Sequence, residues 1–123
     1  MATRCLIVDD SAHFLRAARS LLEREGMNVV GVAMSGAEAM TRIGELTPDV
    51  VLVDIDLGGE SGFDLARTVR ERTVALNGQG RPLPIIMISS HAGEDYQDLI
   101  EDSPAVGFLG KSMLSAGAIR SLL

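Results

Sequence analysis

Carboxylates, a hydroxyl and an ammonium stand at the ends of apolar runs in this chain. Val50-Val51-Leu52-Val53 runs into Asp54, with Asp56 two residues on. Cys5-Leu6-Ile7-Val8 runs into Asp9-Asp10, Ile85 to Ile88 into Ser89-Ser90, and Val106 to Leu109 toward Lys111. As parallel strands of one sheet, these runs would end along one edge, where open α/β sheets bind their ligands. Asp9, Asp10 and Asp54 would then converge, and their repulsion calls for a cation. Oxygen-only donors select a hard ion; Mg²⁺ takes one or two carboxylates plus a phosphate oxygen and keeps several waters. Lys111 and Ser89 would offer donors to phosphoryl oxygens, with Asp54 as nucleophile. Each residue alone has a plainer account. Asp favours turns and helix N-termini, a single Ser is usually a turn residue, and a single Lys is usually a solvated charge. The plainer accounts leave the joint placement at four strand ends unexplained.

The elements that must position these groups are legible as an alternation. After Asp9-Asp10, Ser11 suits a helix N-cap, and Phe14, Leu15, Ala18, Leu21 and Leu22 recur at helical spacing up to a C-capping Gly26. Met27 to Ala33 reads as a second strand. Ser35 caps a second helix through about Leu46, with Glu38 completing a capping-box pattern. Pro48 precedes the strand ending at Asp54. Glycines 58, 59 and 62 predict a loop, and a third helix follows from about Phe63 to Arg72. The breaker-rich stretch Asn77 to Pro82 reads as another loop. A polar helix is expected from about Glu94 to Glu101, and a last one from near Ser115, carrying Ile119, Leu122 and Leu123. Strand and helix alternating five times argue for α/β architecture: a doubly wound, five-stranded parallel sheet with helices on both faces. Strand order 2-1-3-4-5 is expected; order 3-2-1-4-5 is the alternative.

Composition narrows the partners. One domain is expected from 123 residues, with an aliphatic core, since 46% of residues are hydrophobic and only 3% aromatic. A net charge of −6 argues against direct nucleic-acid binding by this chain. No apolar run approaches the roughly 20 residues of a membrane span, and the N-terminus lacks a signal-peptide pattern. The single Cys5 cannot form an internal disulfide, so a cytoplasmic protein is expected. His13 is expected on an exposed helix face, His91 in the loop after Ser89, and the Met residues mostly as core filler.

Four stretches, Ile7-Val8-Asp9-Asp10-Ser11, Asp49 to Ile55, Pro84 to Ser90 and Gly107-Phe108-Leu109-Gly110-Lys111, resemble the receiver domains of two-component response regulators in order and spacing. The resemblance covers essentially the whole chain. It implies a flavodoxin-like fold and a phosphoryl group accepted on Asp54 from a sensor histidine kinase. It implies Mg²⁺ held by Asp9 and Asp10, with Asp10, Asp54 and the backbone carbonyl of Asp56 as direct ligands. Ser89 and Lys111 would bind phosphoryl oxygens, and Phe108 would be the switch aromatic that follows Ser89. A dimer or output contact is expected on the face of the fourth helix, fifth strand and fifth helix. The domain would span residues 1–123, with any output domain outside this chain. The Phe108 to Ser112 ending resembles receivers that precede a LuxR-type helix-turn-helix domain, which would make the output transcriptional. Slow self-phosphorylation and self-dephosphorylation are expected, rather than enzymatic turnover. Ser112 follows the lysine where proline is common, Ser89 replaces the commoner threonine, Ser90 stands where alanine is usual, and Phe108 lacks a hydroxyl. Two other readings stay open. Asp54 and Asp56 also look like the nucleophile and acid of haloacid-dehalogenase phosphohydrolases, although there the acidic pair comes late in the chain. A flavin-phosphate binder would want Ser, Thr and Gly where Asp9-Asp10 stands.

Overall fold

The computed structural model describes residues 2–77, 82–90 and 96–123. Five strands form one parallel sheet: β1 (Arg4–Val8), β2 (Asn28–Ala33), β3 (Val50–Asp54), β4 (Ile85–Ser89) and β5 (Gly107–Gly110). Their order is β2-β1-β3-β4-β5, the first of the two expected. All adjacent pairs run parallel, with Val8 opposite Val53, Asp54 opposite Ile88 and Ser89 opposite Gly110. The helices are α1 (Ala12–Arg24), α2 (Gly36–Leu46), α3 (Gly62–Asn77), α4 (Gln97–Asp102) and α5 (Ala116–Leu122).

Strand residues alternate between two cores, as the two-residue side-chain period requires. Leu6, Val8, Val51, Val53, Ile85 and Met87 pack against Ala39 and Ile43 of α2 and Phe63, Ala66 and Val69 of α3. Cys5, Ile7, Val50, Leu52, Ile86 and Ile88 pack against Leu15, Ala18 and Leu22 of α1 and Ala116 and Ile119 of α5. Both faces of the central strands are therefore apolar, which explains continuous runs such as Val50-Val51-Leu52-Val53. The Cys5 thiol is buried, and burial pushes its pKa up to about 12. It is an inert part of the core.

Local signals set the helix ends. Ser11, Ser35 and Ser115 each accept a hydrogen bond from the N–H three residues on, at Phe14, Glu38 and Ala118. The Glu38 carboxylate accepts from Met34 N–H at 2.7 Å, one residue before the position a capping box would use. Glu25 closes α1, and Gly26 follows with φ 87°. Arg4 closes α2 from outside, donating to the Leu46 and Thr47 carbonyls at 2.6 and 2.7 Å.

Three expectations need correction. Helix α3 continues past Arg72 through Asn77, the residue expected to open the following loop, because no Gly or Pro interrupts the stretch before Gly78. The expected glycine loop contains a small antiparallel hairpin, Asp56–Leu57 against Glu60–Ser61, and Gly62 is the first residue of α3. Among the methionines, Met27 and Met87 are core, but Met34 and Met113 are exposed. The expected loop at 78–81, the start of the fourth helix before Tyr96, and His91 lie outside the described residues. His13 is exposed on α1, as expected.

Candidate functional site

The site lies at the carboxyl ends of β1, β3, β4 and β5. Asp9 follows β1 and is 0% exposed; Asp54 ends β3 at 7%, and Ser89 ends β4 at 3%. These are the buried polar side chains among the described residues. Asp10, beside Asp9, is exposed. One carboxylate oxygen from each of Asp9, Asp10 and Asp54 lies within 4.8 Å of the others.

Lys111 reaches in from the turn after β5. Its Nζ is 2.6 Å from Asp9 Oδ2 and 3.1 Å from Asp54 Oδ2. The Asp54 contact is a directed hydrogen bond. The Asp9 contact is the shorter of the two, and the ammonium is the partner of the buried Asp9 Oδ2. The other oxygens are held by backbone: Ser11 N–H donates to Asp9 Oδ1 at 2.8 Å, and Asp56 N–H to Asp54 Oδ1 at 3.2 Å. Local N–H donors thus aim both carboxylates toward one point. On its remaining side the Lys111 ammonium lies over the Phe14 ring, 4.3 Å from the centroid.

Burial raises the Asp54 pKa and the charge of Asp9 adds to the rise; the Asp56 N–H and Lys111 oppose it without cancelling it. Burial alone would lower Lys111, but the Asp9 and Asp54 carboxylates outweigh burial and hold its pKa above the usual lysine value. The cluster is therefore an acidic site with one internal cation for two buried carboxylates and an exposed third. A hard divalent ion suits these donors: all are carboxylate oxygens, and three carboxylates gather around a single ammonium.

Phe108 lies on β5 opposite Met87, half-buried against the α2–α3 core. Tyr96 packs against the same core. The Asp56 side chain is exposed, and its backbone serves Asp54. Two supports were hidden in the sequence. A Cβ at Gly62 would sit 2.0 Å from the Asp54 carbonyl oxygen, so a glycine must open α3 there. A Cβ at Gly58 (φ 61°) would come within 2.9 Å of Asp10 Oδ2. Both were visible only as turn-forming glycines.

Residues 5–122 match the family model described as the response regulator receiver domain. The chain belongs to this family. It is 32% identical over 98% of its length to a protein-glutamate methylesterase/protein-glutamine glutaminase of Pseudoalteromonas atlantica, of which it spans 30%. Among solved structures, a LuxR-family two-component response regulator from Aurantimonas superposes with a TM-score of 0.82 at 28% identity, over 99% of this chain and 83% of that one. The chemotaxis response regulator CheY4 of Vibrio cholerae superposes with a TM-score of 0.80, covering both chains fully; at 20% identity it supports the fold alone. The receiver fold thus accounts for the sheet order, and the chain is a two-component signalling domain. The phosphohydrolase reading of Asp54 and Asp56 gains no support: the family match is to receivers, and the exposed Asp56 carboxylate is not among the three that gather. Receivers work with sensor histidine kinases and output domains. Among the described residues no helix is long and apolar enough to cross a membrane.

Proposed function

We propose that Asp54 of this receiver is the phosphoacceptor, and that Asp9, Asp10 and Asp54 hold Mg²⁺, with the Asp56 carbonyl completing the protein ligands. The observation that carries the reading is the convergence of three carboxylates and Lys111 at adjacent strand ends. A carboxylate oxygen of Asp54 attacks the donor phosphorus while the bond to the leaving group breaks. The leaving group is a kinase histidine imidazole or, with acetyl phosphate, acetate. Bound Mg²⁺ would supply positive charge to the phosphoryl oxygens. Lys111 neutralises charge and donates to a phosphoryl oxygen, and the Ser89 hydroxyl donates to another. The Asp56 N–H keeps Asp54 oriented for attack.

The output reading follows the family. A sensor histidine kinase is the donor, and the protein acts in the cytoplasm. Phosphorylation adds charge and acceptor oxygens at Asp54, and Ser89 and Phe108 relay the change to the α4–β5–α5 face. That face exposes Leu99 and Val106 at its edge. It would carry a dimer or output-domain contact; the resemblance of the Phe108 to Ser112 ending to receivers with a LuxR-type domain is what supports a transcriptional output. The acidic chain itself would not bind nucleic acid.

Labelling with acetyl phosphate and Mg²⁺ tests the acceptor. The expected result is one acid-stable, base-labile phosphoryl group on Asp54, lost in Asp54→Asn. Equal labelling of that variant, mapped to another residue, would overturn the assignment. Beryllofluoride, a phosphoryl mimic, should shift the amide resonances of Phe108 and α4. Shifts confined to α1 and α2 would reject the output face.

A further inference from the structure

We propose that Phe14 is a positioning residue for Lys111, its ring holding the ammonium at the phosphoryl-binding point; this rests on the reading of Asp54 as phosphoacceptor. The motivating geometry is the 4.3 Å contact between Lys111 Nζ and the ring centroid. Asp9 and Asp54 face the ammonium with their carboxylates, and the ring supplies a further partner. A lysine has a flexible four-carbon stem, so its head must be fixed by what surrounds it. The two carboxylates cannot fix it throughout the reaction, because the Asp54 oxygens become engaged when a phosphoryl group arrives. The ring stays. It is anchored on α1, whose start is pinned by the Ser11 cap, and it packs half-buried against the α1–α5 core. The π-face attracts the cation without offering a competing negative charge, so Lys111 remains available to phosphoryl oxygens.

The contact is selective in a way that bulk packing is not. Leucine or methionine at position 14 can fill much of the ring's volume but has no quadrupole; tyrosine keeps both. The experiment compares Phe14→Leu, Phe14→Met and Phe14→Tyr in the intact chain. One readout is the rate of Asp54 labelling by acetyl phosphate at saturating Mg²⁺. Another is the chemical shift of the Lys111 ε-methylene protons without phosphodonor. The expected result is labelling slowed about three- to tenfold by both aliphatic variants and restored to within about twofold by tyrosine, the range a partly desolvated cation–π contact supports. The ε-methylene protons should be displaced upfield by the ring in wild type and Phe14→Tyr, and return to ordinary lysine positions in the aliphatic variants. Methionine, with its flexible chain, keeps the comparison valid if leucine fails to fold. Equal slowing by all three variants, wild-type rates in the aliphatic ones, or an undisplaced ε-methylene signal in wild type would overturn the proposal. If wild type takes no label on Asp54 while the ring shift is present, the phosphoacceptor reading fails and the contact itself stands.

Discussion

Replacing Lys111 by methionine isolates the electrostatics of the site. Methionine keeps much of the stem and its packing while removing the charge. At an effective dielectric constant of 20, the 2.6 and 3.1 Å contacts correspond to attractions of about 6 and about 5 kcal/mol before desolvation. Without them, Asp9 and Asp54 face each other with oxygens within 4.8 Å, a repulsion of at least about 3.5 kcal/mol on the same scale. Desolvating the lysine offsets much of the attraction, and its side chain is partly exposed. A net loss of about 3 kcal/mol in metal-free protein near neutral pH is expected, in line with removing one partner of a buried pair. For a domain of this size that lowers Tm by roughly 10 °C.

The pH dependence has a definite sign. Lys111 has its pKa raised in the folded state, so its contribution is fully present below the unfolded value of 10.5 and is lost as pH rises through the folded value. The variant's deficit should thus be full at neutral pH. It should shrink in acid, where Asp54, its own pKa raised, takes up a proton and the repulsion disappears. Mg²⁺ should stabilise the variant more than wild type, since the ion no longer competes with the ammonium. Thermal melts across pH, with and without Mg²⁺, read all three effects. A metal-free loss below about 0.5 kcal/mol at neutral pH, or equal Mg²⁺ stabilisation of both proteins, would refute the reasoning.

Asp10→Asn should weaken Mg²⁺ binding about tenfold or more and Asp9→Asn less, by titration of each variant; wild-type affinity in Asp10→Asn would reject Asp10 as a direct ligand. Asp54→Asn should raise the metal-free Tm at neutral pH. The raised folded pKa means that ionised Asp54 costs stability as pH climbs through it, so the advantage should fade in acid, near and below the ordinary value of 3.8. A variant less stable than wild type throughout would show that the Lys111 contact outweighs burial. Gly62→Ala should cost about 3 kcal/mol or more, because the added Cβ meets a backbone oxygen that cannot step aside. A Tm drop under about 3 °C would mean that α3 can pivot.

What the sequence disclosed and what it hid divide along a physical line. Strand ends were legible because a buried parallel strand needs an apolar run, and the first polar residue after it marks the sheet edge. Asp9, Asp54, Ser89 and Lys111 all stand at or just beyond such ends. Helix starts were legible because Ser11, Ser35 and Ser115 act through N–H groups only three residues away. The hairpin at Asp56–Ser61 was not, since arms of two residues carry no period to detect. Phe14 looked like any apolar helix residue, and Lys111 is distant in the chain; only the sheet order brings them together. Glu25 is similar: its carboxylate accepts from Ala116 N–H at 2.7 Å, tying the end of α1 to the start of α5.

The charge balance of the site suggests how a phosphoryl group on Asp54 would switch it. Two buried carboxylates cost a domain least when a cation sits between them. Metal-free, that cation is Lys111, held by Asp9 and Asp54 at once. Phosphorylation would convert the Asp54 carboxylate into an acyl phosphate, a mixed anhydride, and move the charge outward onto phosphoryl oxygens. Lys111 would then gain more by following the charge than by staying. Gly110, the residue before Lys111, pairs with Ser89 of β4 at the end of β5, the strand that carries Phe108. A shift of the ammonium and the Ser89 hydroxyl toward one new anion would therefore act on the strand that carries Phe108 and on the strand it pairs with. On the proposed reading, the phosphoryl group would not have to push the α4–β5–α5 face. It need only bind better in one of two arrangements, and its differential affinity sets how far the population moves.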